Sequence, residues 1–225
     1  MSKCDQCIIK QFNSLKALTK DELIRISGCK TSKLIKKGDV IFNEGETLNG
    51  VYCVKDGVCK LSKLSANGKD QIVKLVVKGD LLGQRSLIGN ESANLSAIAL
   101  NDMEVCFIPK HEIISDLQKN SNFSMDVLQQ MARDLKDSDN VIVNMAQKSV
   151  KQRLAEALLY IDAHFGTDSE GFLSVILSRE DYANVVGTAT ESAIRILSQF
   201  KKEGLISTSG KQIKIENVVG LKNIV

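Results

Sequence analysis

The sequence lacks both a long hydrophobic run and a strong excess of charge of either sign. No apolar stretch approaches the length of a membrane-spanning helix, and the polar start MSKCDQC does not have the pattern of a signal peptide. Its 30 basic and 27 acidic side chains leave a formal net charge of only +3, so a surface for nucleic acid has to be a local one. We therefore expect a cytoplasmic chain without a membrane partner, whose six cysteines are thiols or metal ligands rather than disulfides.

The first half of the chain has the pattern of a β-domain. Glycine recurs every few residues from Gly38 to Gly89, and the short β-rich runs of this half are VYCV, VCKLSKL, QIVKLVV and SAIAL. Short strands separated by turn residues are typical of an antiparallel roll or sandwich. The Asn-Gly pair in SANGKD predicts a hairpin. Before the strands, Thr19 and Glu22 predict a capping box that begins a short helix.

A long helix is predicted from Asn122 onward. Its apolar residues recur in steps of three and four, which is the spacing of a coiled-coil seam, and a single serine interrupts them. The seam consists of Leu128, Met131, Leu135, Ser138, Ile142 and Met145. Because the faces between these residues are polar, we predict that the helix pairs with a second copy of itself. The alternative is a helix that packs on the sheet of its own domain.

The last third of the chain has the pattern of a winged helix-turn-helix. A helix over VKQRLAEALLYIDAHF is followed by a loop and a predicted strand, FLSVIL. A capping box of Ser178 and Asp181 begins the next helix, which Gly187 closes, and a second box of Thr188 and Glu191 begins another. The run LISTSGKQIKI then predicts a strand, a turn and a strand. Two helices across a tight turn, followed by a hairpin, form this motif.

The second of these helices carries Glu191 and Arg195 one turn apart, close to its start. A recognition helix enters the major groove by its N-terminal turns, where an arginine can fork onto guanine and a glutamate can accept from a cytosine amino group. Thr190 and Ile194 flank the pair, and Ile194 can touch a thymine methyl. The alternative is an ion pair on an ordinary surface helix. The segment 190–225 favours DNA, since it has six basic and three acidic residues.

These motifs resemble the CRP/FNR family of bacterial transcription regulators over essentially the whole chain. The run SREDYANVVGTATESAIRILSQFKKEGLISTSGKQIKI is similar to the family's DNA-binding domain, whose recognition helix carries Glu-x-x-x-Arg. KKGDVIFNEGETLNGVYCVKDGVCKL and KGDLLG resemble its double-stranded β-roll, and QMARDL resembles its dimerisation helix. The resemblance implies an α+β fold in three parts. The first part (1–118) is a sensor domain, an antiparallel β-roll that is similar to a jelly roll and to cyclic nucleotide-binding domains. A dimerisation helix (119–146) and a winged helix-turn-helix (147–225) follow it.

The resemblance also implies a function. Members are homodimers rather than enzymes; they bind a pseudo-palindromic operator in double-stranded DNA and recruit or block RNA polymerase. An effector or a redox signal at the β-roll controls them, and the loop Thr167–Gly171 would face the polymerase. The half-sites would contain a TGA-like core. The implied DNA-binding residues are Thr190, Glu191, Ile194, Arg195, Arg179, Lys201, Lys202, Ser209 and Lys211.

Two familiar effectors are not expected. The cyclic-nucleotide branch of the family holds the ribose with a glutamate and the phosphate with an Arg-Ser pair, where this chain has Gln84 and Ala93-Asn94. Without the arginine of that pair, the phosphate of cyclic AMP lacks the guanidinium that would donate charge-assisted hydrogen bonds to it. This argues against cyclic AMP as the effector. The chain's two histidines, His111 and His164, are more typical of solvated or capping side chains than of haem ligands.

The N-terminal cysteines resemble part of a metal motif. Cys4 and Cys7 have the spacing that begins the iron–sulfur motif of the FNR branch, and Cys106 matches its distant cysteine. The intervening cysteine falls on Asn13 in an alignment without gaps, so one of the four usual thiolates is missing. A cluster would need Cys29 or a small molecule as its fourth ligand. The alternative is a frayed terminus and a buried strand cysteine.

Two other classes of function stay open. Cys4 and Cys7 would serve as a redox dithiol in an enzyme, although a CxxC of that kind belongs at the end of a strand. A ligand-binding regulatory subunit without DNA binding would need no Glu191–Arg195 pair.

Cys53 and Cys59 lie in β-runs and are interpreted as small core residues.

Overall fold

The computed structural model describes residues 7–66 and 68–225. Cys4 of the predicted metal motif therefore lies outside the described residues, and so does Asn67 of the predicted hairpin. The chain divides into two compact units. The first covers the chain up to Lys63 and Val73–Asp137, and the second covers Leu64–Ile72 and Ser138–Val225. Across 7–66 and 68–225, no helix is both long and apolar enough to cross a membrane.

Eight strands between Thr31 and Pro109 form two four-stranded sheets of antiparallel pairs, as the glycine-punctuated runs predict. Their order is β1-β8-β3-β6 in one sheet and β2-β7-β4-β5 in the other. The strands are β1 (Thr31–Ile35), β2 (Val40–Phe42), β3 (Gly50–Asp56), β4 (Cys59–Leu64), β5 (Asp70–Val76), β6 (Leu81–Leu82), β7 (Ser96–Ala99) and β8 (Met103–Pro109). The predicted β-roll is therefore confirmed.

Four helices accompany the strands. They are α1 (Lys20–Cys29), α2 (Gln84–Gly89), α3 (Lys110–Lys119) and α4 (Ser121–Gln147). The predicted capping box of Thr19 and Glu22 is present at the start of α1. Within the described residues, two short 3-10 turns, Ile8–Phe12 and Ser14–Ala17, precede it.

The sheet β1-β8-β3-β6 is apolar on both faces. On β3, Val54 belongs to the core between the two sheets, whereas Val51 and Cys53 belong to a second core. Successive side chains of a strand point to opposite faces, which explains the division. The second core also contains Ile26 of α1 and Phe123 of α4. A cysteine on this face therefore lies beneath helices and the N-terminal segment, outside the interior of the roll.

The second unit is the predicted winged helix-turn-helix. It contains α5 (Val150–Phe165), α6 (Arg179–Val186), α7 (Thr190–Lys202), β9 (Ile206–Ser209), β10 (Gln212–Ile215) and α8 (Val218–Lys222). Leu158, Tyr182 and Phe200 are fully buried in its core. The predicted capping box of Ser178 and Asp181 begins α6.

Arg153 of α5 ties the ends of two other helices together. Its Nε donates to the carbonyl of Val186 at 2.8 Å, and its Nη1 donates to the carbonyls of Met145 at 3.1 Å and Lys148 at 2.7 Å. The last carbonyls of a helix have no partner within the helix. Arg153 supplies partners for those of α4 and α6.

Two local predictions in this unit are wrong. FLSVIL forms no strand: only isolated bridges join Thr167 to Leu173 and Phe172 to Lys214. Thr188 does not cap the next helix. Its amide donates to the carbonyl of Ala183 and so completes the end of α6, and α7 begins at Thr190 without a side-chain cap. The sequence did not predict α8.

Candidate functional site

The helix α7 has an apolar buried side and an exposed side. Ala193, Ile196, Leu197 and Phe200 are buried in the core of the second unit. Their steps of three and four place them on one side of the helix. The exposed side of the first turns carries Glu191, Ile194 and Arg195, and Thr190 is half-buried beside them. The helix therefore presents the four predicted base-reading residues at its N-terminal end.

Glu191 and Arg195 do not form the ion pair that their spacing allows. Within the described part of the chain, neither side chain makes a hydrogen bond or a salt bridge to another residue. Because Thr188 is not the cap of α7, Glu191 has no capping role either. Both charged side chains are thus free to contact a ligand in the solvent.

Basic side chains lie around the end of α7 and the wing. Lys202 is exposed, and the Nζ of Lys201 donates to the Oγ1 of Thr208 at 3.2 Å. The wing turn between β9 and β10 exposes Ser209 and Lys211. These four residues belong to the predicted DNA-binding set.

Arg179 connects the start of α6 to the wing turn. Its guanidinium donates to the carbonyl of Gly210 at 3.2 Å and to that of Lys211 at 3.5 Å. A guanidinium has five N–H groups, so donors remain for a phosphate. The contact also fixes the wing turn beside the helix-turn-helix.

The predicted seam of α4 is exposed along a line of three large apolar residues. Leu128, Leu135 and Ile142 are 59%, 65% and 66% exposed, and they stand one heptad apart. Ser138 is exposed as well. The two methionines differ from this pattern: Met131 packs in part against the second core of the first unit, and Met145 is half-buried.

The positions that would hold a cyclic nucleotide carry no charge. Gln84 is the first residue of α2 and Asn94 is half-buried. Ala93 is only 3% exposed and belongs to the core between the two sheets. An arginine at position 93 would have to bury its guanidinium in this apolar core. A small shift of the chain therefore cannot restore a phosphate-binding arginine at this position.

The two histidines have local partners and lie on different elements. His111 of α3 is exposed, and its Nε2 lies 3.2 Å from the Oε1 of Glu112. His164, in the last turn of α5, lies with its Nδ1 2.9 Å from the carbonyl of Tyr160. Its ring also stacks on the Tyr160 ring at 4.0 Å.

Three cysteines of the first unit line one small cavity. They are Cys7, Cys53 and Cys106, and the cavity has a volume of about 20 Å³. Among the described residues, no three His, Cys, Asp or Glu side chains are placed to hold a single metal ion. The thiols therefore converge without forming a closed mononuclear site.

The other two described cysteines lie elsewhere. Cys29 ends α1, and its Sγ donates to the carbonyl of Ile26 at 3.4 Å. Burial and the neighbouring Glu112 raise the pKa of the Cys29 thiol. Cys59 is buried between the two sheets, and burial raises the pKa of its thiol to about 12. Neither residue lines the cavity of the other three.

Known proteins match this arrangement. Residues 32–120 match the cyclic nucleotide-binding domain family, and residues 152–224 match the Crp-like helix-turn-helix domain family. The chain belongs to the CRP/FNR family of transcription regulators. As a CRP/FNR-family member it is a DNA-binding regulator, which excludes the dithiol enzyme and the subunit without DNA binding.

Individual relatives of this CRP/FNR-family chain match nearly its whole length. The anaerobic regulatory protein of Haemophilus influenzae is 29% identical over 224 residues, covering 97% of this chain and 86% of that protein. The fumarate and nitrate reduction regulatory protein of Escherichia coli is 29% identical over 220 residues, covering 95% and 86%. The structure of FixK2 from Bradyrhizobium japonicum superposes with a TM-score of 0.77 at 26% identity, covering 87% of this chain and 96% of that one.

Proposed function

We propose that this regulator binds, as a homodimer, a two-fold operator whose half-sites contain a TGA-like core. The exposed, unpaired Glu191 and Arg195 on the first turns of α7 carry this proposal. Arg195 forks onto the O6 and N7 of a guanine, and Glu191 accepts from a cytosine amino group. Ile194 contacts a thymine methyl beside them. Thr190 lies at the start of the same exposed surface.

Phosphate contacts position this reading helix. Lys202 and Lys211 are exposed cations that both follow the base-reading residues along the chain, and Ser209 supplies a hydroxyl in the wing turn. Lys201 and Arg179 also contact phosphates. Lys201 bonds to Thr208 and Arg179 bonds to the wing turn, and each side chain keeps further N–H donors for a phosphate. Such contacts set affinity and register rather than sequence preference.

The homodimer forms through α4. Leu128, Leu135 and Ile142 repeat every seven residues and leave large apolar surfaces in water. A coiled-coil partner with the same repeat buries them, and Ser138 and the half-exposed Met131 and Met145 complete the seam. A two-fold protein then reads a two-fold operator.

The partner that receives the signal is RNA polymerase, in the cytoplasm where the operator DNA lies. The loop Thr167–Gly171 is the contact that we propose for it. Its turn is held by Asp168, whose Oδ1 accepts from the amides of Glu170 at 3.0 Å and Phe172 at 2.9 Å. This leaves the loop ordered before a partner arrives.

A redox signal suits this regulator better than cyclic AMP or haem. The relatives are named for anaerobic regulation and for fumarate and nitrate reduction. Cys7 and Cys106 line one cavity, and cysteine thiolates are the ligands that iron–sulfur clusters take. Cys4, the third proposed ligand, lies outside the described residues. When bound, the cluster supplies a group that oxygen destroys.

Selection from random-sequence DNA by gel shift tests the proposed function. We expect the anaerobically purified protein to enrich a two-fold sequence with TGA-like cores. Enrichment of no sequence, or of one without a two-fold repeat, would contradict the proposal. The same selection with haem or cyclic AMP added should enrich the same sequence at the same affinity.

A further inference from the structure

Cys53 and Cys106 are neighbours across two strands of the first unit. They are directly paired in the register of β3 and β8, and both belong to the core beneath the helices. The amide and carbonyl of Val54 bond to Asp80 and Gly79, on the β6 side of β3. Because backbone groups alternate in direction along a strand, those of Cys53 face β8 and form a hydrogen-bonded pair position with Cys106. Their thiols therefore leave the sheet on the same face.

This register places the two thiols within reach of a disulfide. Residues paired in this way have Cα atoms about 5.5 Å apart, inside the range of about 4.4–6.8 Å that disulfides span. Their Cβ atoms lie about 4.5–5.5 Å apart, whereas a disulfide brings them to about 3.5–4.5 Å. A bond between Cys53 and Cys106 therefore needs only a small shift of the strands and stays under some strain. Strained disulfides are readily reduced, which is typical of reversible redox sites.

Both thiols meet a small cavity that a small oxidant can enter. They line the cavity of about 20 Å³ described above. One water molecule needs roughly 10–15 Å³, and hydrogen peroxide is larger by one oxygen atom. Cys7, Lys10 and Lys55 belong to the same lining and are half-buried, so the lining extends to the surface of the unit. The cysteine pair is covered, yet it is open to a molecule of this size.

Asn13 directs a donor at the sulfur of Cys53. Its Nδ2 lies 3.5 Å from that Sγ and donates to the carbonyl of Gly79 at 2.8 Å. Its Oδ1 accepts from the amide of Leu15 at 2.9 Å, so the side chain is held at both ends. An N–H donor beside a sulfur favours the thiolate, and the thiolate is the nucleophilic form of cysteine. Cys53 is therefore the member of the pair that is prepared to attack.

We propose that Cys53 and Cys106 are a peroxide-oxidised pair that closes a reversible cross-strand disulfide, with Cys53 as the attacking thiolate. Both residues already lie on paired strands, so the bond closes without a rearrangement of the N-terminal segment that carries Cys7. Cys29 and Cys59 lie outside this cavity and take no part.

The reaction runs in two steps. The Cys53 thiolate attacks one oxygen of hydrogen peroxide, the O–O bond breaks, and the other oxygen leaves as hydroxide and takes up a proton to become water. Cys53 is then a sulfenic acid. The sulfur of Cys106 attacks the sulfur of Cys53, the S–O bond breaks, and the oxygen leaves as a second water with the proton of the Cys106 thiol. Two thiols and one peroxide thus give one disulfide and two waters, and a dithiol reductant reverses the change.

This inference is independent of the proposed operator. It also needs no metal, although Cys106 is one of the proposed cluster ligands. The disulfide and the cluster would therefore exclude each other, and the test uses protein without iron.

The test is a disulfide map of the full chain after peroxide treatment. The protein is reduced with a dithiol, freed of iron with a chelator and exposed to stoichiometric hydrogen peroxide. The remaining thiols are then alkylated, and the chain is digested without reduction for mass spectrometry. We expect the Cys53 peptide linked to the Cys106 peptide in the wild type and in the control Cys29→Ser, with the link lost after dithiothreitol.

Asn13→Asp tests the role of Cys53 as the attacking thiolate. The aspartate keeps the acceptor for the amide of Leu15 but loses the donor to sulfur and adds a negative charge. Oxidation should be about tenfold slower at neutral pH. The difference should shrink as the pH rises, because both proteins then reach the full thiolate form. A purely structural role of Asn13 would not produce this pH profile.

The outcomes decide the inference without touching the proposed function. A map in which the two thiols stay free, or in which either is linked to another cysteine such as Cys7, overturns the pair. An Asn13→Asp protein that oxidises at the wild-type rate at every pH overturns Cys53 as the attacking thiol. Operator selection and iron uptake are measured on separate samples, so a failure here leaves both proposals as they stand.

Discussion

The guanidinium of Arg195 is available for the base contact that we propose, because no group of the described protein already occupies it. An arginine held in an ion pair on its own helix would have to break that pair before it met a guanine. Glu191, one turn earlier, is equally unoccupied. The missing capping box at Thr188 therefore has a functional consequence: it leaves this carboxylate exposed on the reading surface.

Replacement of Arg195 by alanine should weaken operator binding by about 1–3 kcal/mol and relax the preference at one base pair of each half-site. The reason is the loss of a bidentate contact to guanine. Quantitative gel shifts on the selected operator and on single-base variants measure both effects. Unchanged base preference in Arg195→Ala would show that another residue reads this position.

Lys202→Ala is the matched control, since it removes a cation from the same helix without removing a base contact. It should weaken binding to all sequences about equally and reduce the slope of log K against log salt by about one. A salt series on specific and unrelated DNA separates the two variants.

At the scale of elements, local signals predicted the capped starts of α1 and α6, and sequence reasoning failed at a segment whose structure depends on a distant partner. The capping boxes at Thr19 and Ser178 depend on a few adjacent residues, and both are confirmed. Burial alternates along FLSVIL as it would in a strand, but the segment has no neighbouring strand with which to form a ladder. The pairing of Cys53 with Cys106 was missed for the same reason, because it depends on the register of two strands far apart in the chain.

The exposed line on α4 predicts the effect of a charge at its centre. Leu135→Asp should give monomers or unfolded protein, because each helix of the dimer would bury an unpaired carboxylate in the seam. Sedimentation velocity at micromolar concentration measures the change. Gln129→Asp is the control, since it adds the same charge at an exposed position beside the line and should remain dimeric. A wild type that sediments as a monomer would refute the seam.

Arg153 makes a second prediction at this scale. Arg153→Ala leaves three carbonyls at the ends of α4 and α6 without their donor and should lower the free energy of unfolding by about 1–3 kcal/mol. Urea denaturation followed by circular dichroism measures the loss. Lys151→Ala, on the same helix, removes a long contact to Glu203 and a cation–π contact to the ring of Phe200, and it should lower stability by less than about 1 kcal/mol. Equal losses in the two variants would mean that the three hydrogen bonds contribute nothing specific.

At the scale of the whole molecule, the β-roll keeps the architecture of a cyclic nucleotide-binding domain, and uncharged residues stand where the family's cyclic-nucleotide branch has its anchors. We expect isothermal titration calorimetry with cyclic AMP to show no binding near physiological concentrations. Gln84, Ala93 and Asn94 provide no cation for the phosphate, and Ala93 is part of the apolar core. Micromolar affinity would require a different pocket from the one that the family uses.

The two sides of α7 have no residue in common. The buried side, with Ala193, Ile196, Leu197 and Phe200, holds the helix on its unit, and the exposed side is the one that we propose for the DNA contact. Substitutions at Glu191, Ile194 and Arg195 should therefore alter the preferred operator while leaving the fold nearly as stable. Over evolutionary time, such a helix can acquire new target promoters through a few surface changes. In the laboratory, the exposed residues of another family member could be grafted onto this scaffold to redirect the same signal to a chosen gene.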